Sequence, residues 1–353
     1  SCLLVYQIAD QLNTYCSNRS LFIKRADHNN PSFAGLAAVA IIVFAPLPHV
    51  LAVGLVPDSL LTPLSLGVLW MALQWLKQDG QLRFYQWIIL GLLFGLAGLS
   101  KYTAILFVLA FAIACISIPR FTFLKQAGFY SAIAIALLLI SPVLLWNAQH
   151  DWISFKYQID HGSGGTWLWR RVAAFVGVQV MVFGFLPLLG LWLYSRAIGF
   201  SVRPFVSILL VFFVLPFSVF AILSGGGGLP HWTTPAWFCL APIAGLGLAQ
   251  WWQSGKRWLI SLILAVQGTL VISGLTLVMT AGYPIASQFK TNPLADLYGW
   301  RSASTRANLL VNELKASGIA VQNWTLASRV AWYAKPTPIF VLDDRQDQFD
   351  LWF

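Results

Sequence analysis

Apolar stretches long enough to cross a bilayer follow one another along this chain with almost no charge inside them. That succession restricts the fold more than any single motif. A spanning helix needs about 20 mostly apolar residues. The pattern predicts nine: Phe33–Leu51, Leu60–Leu76, Phe84–Leu99, Thr103–Ile118, Gly128–Trp146, Val172–Tyr194, Phe205–Leu223, Thr234–Trp252 and Trp258–Ala281. The third and fourth are short and meet at a tight turn, Ser100-Lys101-Tyr102. Composition agrees: 58% of the 353 residues are hydrophobic and 10% are charged, with a mean hydropathy of +0.72. A soluble domain carries about 25% charged residues. The expected class is an α-helical polytopic membrane protein, which excludes a soluble protein with a large core.

Lysine and arginine divide the loops into two sets. One carries Lys24/Arg25, Lys77/Arg83, Arg120/Lys125, Arg196/Arg203 and Lys256/Arg257; the other is poor in them apart from Lys101, Lys156, Arg170 and Arg171. Positive loops favour the cytoplasm, so the first set is expected there. The unusual polar segments then share the opposite side: His49 to Asp58, Lys101, residues 147–171, the loop ending in His231-Trp232, and everything after about Ala281. The net charge of +10 is spread over these loops and forms no stripe, so no nucleic-acid partner is expected. Cys2, Cys16, Cys115 and Cys239 lack metal-ligand spacing, and two fall inside apolar spans, so no disulfide framework is expected. The chain starts at Ser1 and stops abruptly at Phe353; it is read as a piece of a longer protein.

Three regions are expected. Residues 1–32 read as the end of a further helix or an interfacial segment, 33–281 as the multi-spanning domain, and 282–353 as a partial extracytoplasmic α/β domain, cut before completion. In the last, Asp296–Ser317 has helical periodicity. Val321–Leu326 and Pro338–Leu342 read as strands, with a short helix around Ser328–Tyr333.

The densest polar cluster is in residues 147–161. Asn147, Gln149, His150, Asp151, Lys156, Gln158, Asp160 and His161 are interleaved with Trp152, Phe155 and Tyr157. Aromatic faces with amide, carboxylate and imidazole groups suit a sugar or a phosphate head group at a membrane surface. The spacing of His150, Asp151, Asp160 and His161 matches no standard metal motif, so no metal site is assigned, although a divalent cation stays open. Asp58 follows Pro57 at a helix start, where a carboxylate serves equally as a helix N-terminal charge or as a functional acid. Lys101, with Tyr102 beside it, suits a lipid-linked phosphate, since a lysine between apolar spans must reach water or a partner. Arg170 and Arg171 suit a phosphate or ordinary interfacial anchoring. The Gly225–Gly228 run lacks the ending of a phosphate loop; it reads as a flexible outer loop, with His231-Trp232 closing over a pocket.

These segments, in order, resemble the membrane glycosyltransferases of the GT-C class, in particular the bacterial branch related to dolichyl-phosphate-mannose protein mannosyltransferases and to the lipid A aminoarabinose transferase. The resembling pieces are Val56–Leu61, Gly95–Thr103, Ser141–Gln158, Leu229–Ala236, Pro293–Trp300 and Asp347–Trp352. The resemblance implies a bacterial inner-membrane enzyme that moves a sugar, with inversion, from a polyprenyl-phosphate donor to a glycolipid, polysaccharide or protein acceptor outside the cytoplasm. It implies a main catalytic acid upstream of Ser1, with Asp58 as a supporting candidate. Lys101, Tyr102, Arg170 and Arg171 are then expected at the donor phosphate. Asn147, His150, Asp151, Trp152, His161, His231 and Trp232 are expected at the sugar or acceptor. The competing class is a transporter or flippase of a lipid-linked sugar, which favours polar residues near the bilayer midplane and inverted repeats. Here the helix centres are nearly free of charge.

Overall fold

The computed structural model describes residues 1–17, 32–54, 56–116, 122–163, 166–198, 204–280, 298–343 and 349–350. Outside them lie Lys24, Arg25, Arg120 and Arg203 of the expected cytoplasmic set, and residues 293–297, 347–348 and 351–352 of the resembling segments. The side chains of Asp160 and His161 also fall outside. The chain forms two compact units, Ser1–Val271 and Ile272–Phe353, each described by itself.

The first unit is helical: α1 (Cys2–Ser17), α2 (Phe33–Val43), α3 (Pro46–Gly54), α4 (Pro57–Lys77), α5 (Phe84–Ser100), α6 (Ile105–Ile116), α7 (Ala127–Gln149), α8 (Ile153–Ser163), α9 (Trp169–Phe183), α10 (Leu186–Ile198), α11 (Pro204–Leu223), α12 (Thr234–Gln253) and, as far as Val271, α13 (Arg257–Met279). Local chemistry sets several ends. Ser32 caps α2 by accepting from the Gly35 N–H. Pro57 opens α4 with Asp58 in its first turn and Lys77 in its last, matching the helix dipole. The Gln86 side chain accepts from the Arg83 N–H at the start of α5.

Helix α12 is the centre, buried continuously from Thr234 to Ala249 and packed by α1, α2, α4, α10 and α11. Small residues make this possible. At Gly245 a Cβ would stand 2.7 Å from the Ala34 carbonyl oxygen of α2, and Gly247 faces the Gly190 backbone of α10. Close approach through small residues is how helices associate where lipid removes the hydrophobic drive. Helices α5 and α7 pair in the same way, with Gly91 against Ala132.

Nine spans were expected; four helices among the described residues are long and apolar enough to cross a membrane: α4, α7, α11 and α13. Two further candidates are bent pairs, α2 with α3 at 69° and α9 with α10 at 94°, which brings the number to six if each pair is one span. The remaining expected spans are helices too, but α5 and α6 are short. Helix α12, although 20 residues long, carries Trp, Gly, Pro and Gln throughout. The second bend falls at Gly184, φ 78° and ψ 179°, a conformation essentially confined to glycine. Gly184 lies directly against the Gln267 amide, which also donates to the Phe44 carbonyl at the first bend, 2.7 Å away.

In the second unit, α14 (Trp300–Leu314) precedes β1 (Ile319–Val321), α15 (Trp324–Ala334) and β2 (Ile339–Val341). The strands are parallel, with Ile319 opposite Ile339 and Val321 opposite Val341, the pairing a helical crossover permits. Ala327, Val330, Ala334, Ile339 and Phe349 form its core. The strand expected at Val321–Leu326 instead ends at Val321, because the Asn323 side chain accepts from the Leu326 N–H and starts α15.

Candidate functional site

Three segments far apart in sequence meet at the start of α4. The Ser100 hydroxyl at the end of α5 donates to the Pro57 carbonyl at 2.8 Å, which sets the next residue beside Asp58. The Lys101 ammonium donates to both Asp58 carboxylate oxygens, at 2.9 and 2.8 Å. Asp58 is 1% exposed and Lys101 17%. Asp58 does not cap its helix: the N-cap is Val56 and takes no side-chain hydrogen bond. The carboxylate turns to the lysine, because a buried charge needs a partner.

The third segment is the 3₁₀ turn Pro230–Thr233. His231 Nε2 stands 3.7 Å from Asp58 Oδ2, and the Lys101 ammonium lies 5.8 Å from the centre of the Trp232 ring, within cation–π range. Both basic groups sit in breaks between helices. Burial pushes the His231 imidazole below its ordinary range, against the pull of Asp58, and Lys101 adds to the lowering. Burial likewise lowers the Lys101 ammonium, opposed by Asp58. Neutral His231 can therefore accept a proton or a hydrogen bond beside an ammonium that neighbouring carboxylate oxygens hold in place.

A cavity of about 270 Å³ opens beside Asp58, lined by His49, Ser59, Thr62, Thr234 and Phe238 among others. That is close to the roughly 300 Å³ lower end of ligand pockets. The Thr62 hydroxyl donates to the Asp58 carbonyl at 2.7 Å, and the Ser59 hydroxyl to the Leu51 carbonyl at 2.7 Å. The Thr234 hydroxyl is buried without a hydrogen-bond partner among the described residues.

The other expected site residues go elsewhere. The Tyr102 hydroxyl bonds to the Ser154 hydroxyl at 2.8 Å, and its ring stacks on Phe155 at 4.5 Å. Ser154 donates to Asn147 Oδ1 at 2.6 Å, and Asn147 Nδ2 to the Val143 carbonyl at 2.9 Å. Tyr102 and buried Asn147 thus brace the α7–α8 corner against the turn that carries Lys101. His150 stacks on Trp146 at 4.2 Å, with Nδ1 2.8 Å from the Trp146 carbonyl. Asp151 and Trp152 are exposed and make the corner itself, with φ of 51° and 58°. Arg171 donates to the carbonyls of Thr166 and Gly226 at 3.0 and 3.2 Å; Arg170 is exposed. With the Leu168 N–H bonded to the Gly225 carbonyl, Arg171 holds the glycine run down. Gly225 faces the Trp167 indole so closely that no side chain fits there. His161 lies at the end of α8, its side chain outside the described residues.

Among the described residues, no three His, Cys, Asp or Glu side chains gather as a metal site. One polar residue was not singled out from the sequence. Gln179, in the apolar run of α9, is fully buried. Its Oε1 accepts from the Thr233 hydroxyl at 2.6 Å and from Trp237 Nε1 at 2.9 Å, and its Nε2 faces the Pro230 carbonyl at 3.2 Å.

No curated protein and no solved structure matches the chain. The family model for dolichyl-phosphate-mannose-protein mannosyltransferase matches residues 26–146, about a third of the chain. Asp58 and Lys101 fall inside that stretch; His231 falls outside it. The match points to a membrane glycosyltransferase, in keeping with the apolar helices that surround this polar end.

Proposed function

We propose that the chain is a GT-C-type glycosyltransferase that moves a sugar from a polyprenyl-phosphate donor to an acceptor hydroxyl on the extracytoplasmic face of the membrane. The observation that carries this reading is the buried Asp58–Lys101 pair with His231 beside it, Asp58 also lining a cavity. In the reaction, the acceptor oxygen bonds to the anomeric carbon as the carbon–oxygen bond to phosphate breaks, and the configuration inverts. The polyprenyl phosphate leaves with the bonding electrons, and the acceptor proton passes to a nearby base. Lys101 supplies positive charge where the leaving phosphate gains negative charge, which lowers the barrier most in a poorly solvated site. Asp58 holds the ammonium in position, and either its carboxylate or neutral His231 can take up the proton. The acceptor is a glycolipid, a polysaccharide or a protein.

The test uses liposomes containing the protein and a labelled polyprenyl-phosphate sugar, with mannose and aminoarabinose donors run in parallel. Sugar transfer and sugar-lipid translocation are measured separately. Transfer is expected, and Lys101→Ala is expected to reduce it by about a hundredfold or more, the scale of losing one charge-stabilising donor. Translocation without transfer would replace this reading with a flippase. Transfer that is unchanged in Lys101→Ala would remove Lys101 from the site.

A further inference from the structure

The turn that brings His231 and Trp232 to Asp58 and Lys101 is held at Trp232, whose ring packs on Phe220 at 5.8 Å and whose N–H bonds to the Leu229 carbonyl at 3.1 Å, and at both of its ends. It is four residues long, Pro230–Thr233, and follows the glycine run 225–228. Its Thr233 hydroxyl and its Pro230 carbonyl both bond to Gln179 of α9, which also accepts from Trp237, one turn into α12. One buried amide therefore holds both ends of the turn and fixes its direction relative to α12. Trp237 in turn stacks on Phe183 of α9 at 5.1 Å, so the amide sits in a packed apolar surround, where polar contacts are costly to lose. An unpaired amide there would carry its full desolvation penalty.

We infer that Gln179 is a positioning residue that fixes the His231–Trp232 turn against the Asp58–Lys101 pair. It touches none of the reacting groups and acts through Thr233, Pro230 and Trp237. Its consequence for transfer rests on the reading of Asp58, Lys101 and His231 as the reacting site; its effect on the turn does not.

The experiment measures diethyl pyrocarbonate modification of individual histidines in the membrane-inserted protein, read by peptide mass spectrometry. His150, stacked on Trp146 at the α7–α8 corner, serves as the internal reference. Gln179→Leu, Thr233→Val and the double variant are compared with the unmodified chain, and sugar transfer is assayed on the same preparations. Gln179→Leu is expected to raise the His231 rate by about fivefold or more, as local opening does when buried hydrogen bonds are lost. His150 should not change. Thr233→Val should act in the same direction, and the double variant should be no more reactive than Gln179→Leu, because both break one network. If Gln179→Leu fails to fold, Thr233→Val decides by the same criterion. A His231 rate unchanged in the folded variant, or a parallel rise at His231 and His150, would overturn the inference. A selective rise at His231, with no transfer by the unmodified protein, would keep the role of Gln179 and remove the proposed function. Transfer by the unmodified protein with an unchanged His231 rate in Gln179→Leu would do the reverse.

Discussion

Asp58 and Lys101 are each tolerable in an apolar surround only because of the other. Removing one leaves a buried uncompensated charge, at a cost of about 3–5 kcal/mol, whereas replacing both with neutral groups of similar volume is far less disruptive. Lys101→Met is therefore expected to destabilise by that amount. The double variant Asp58→Asn/Lys101→Met is expected to recover most of it, as measured by thermal unfolding in detergent; equal losses in both would deny the pair its structural weight. These two residues were legible in the sequence because charge stands out against apolar text, and the positive-inside pattern put them on one side. The same reasoning placed His231 and Trp232 with them. It failed to separate Tyr102 and Asn147, whose polar groups are consumed in bracing α7 to α8. Gln179 was invisible for the opposite reason: one amide inside an apolar run breaks no pattern, and its partner Thr233 is 54 residues away.

At the level of elements, helix identity was readable and helix continuity was not. The stretch Val172–Tyr194 has the apolarity of a single span, yet it turns through 94°. The available signal was Gly184 followed by Pro187, a glycine past a helix end and a proline in the first turn of the next. Pro46 marks the other bend in the same way, opening α3. Gly184→Ala is expected to cost about 1–3 kcal/mol from its backbone conformation alone, with a further loss as the new methyl displaces the Gln267 amide. The check is a lowered melting temperature compared with Gly177→Ala, a helical position with open space around it. Equal melting temperatures would show that the bend tolerates a side chain.

On the scale of the whole molecule, the helices differ in what they face. Only 11% of the apolar window of α7 and 17% of that of α13 are buried within the protein, against 56% for α4, and α12 is enclosed. A membrane-soluble photoreactive probe is therefore expected to label α7 and α13 strongly and α12 scarcely, with peptide mapping as the readout. Heavy labelling of α12 would contradict its central place. This contrast was not legible in the sequence, because enclosed and lipid-facing helices were alike read as apolar spans and only packing shows which neighbour is protein and which is lipid.

The Asp58–Lys101 pair also bears on how such a chain is made. The two residues are 43 positions apart, on α4 and at the end of the next helix, α5. A lone carboxylate or ammonium is costly to carry into a bilayer. As the nascent chain emerges, the acid on α4 waits for one more helix before it can be neutralised. Once paired, the two charges form a compact dipole, which costs less in an apolar surround than two separate ions. The acid on α4 is thus balanced by the helix that directly follows it, and the histidine turn, much later in the sequence, joins a pair whose charge is already balanced.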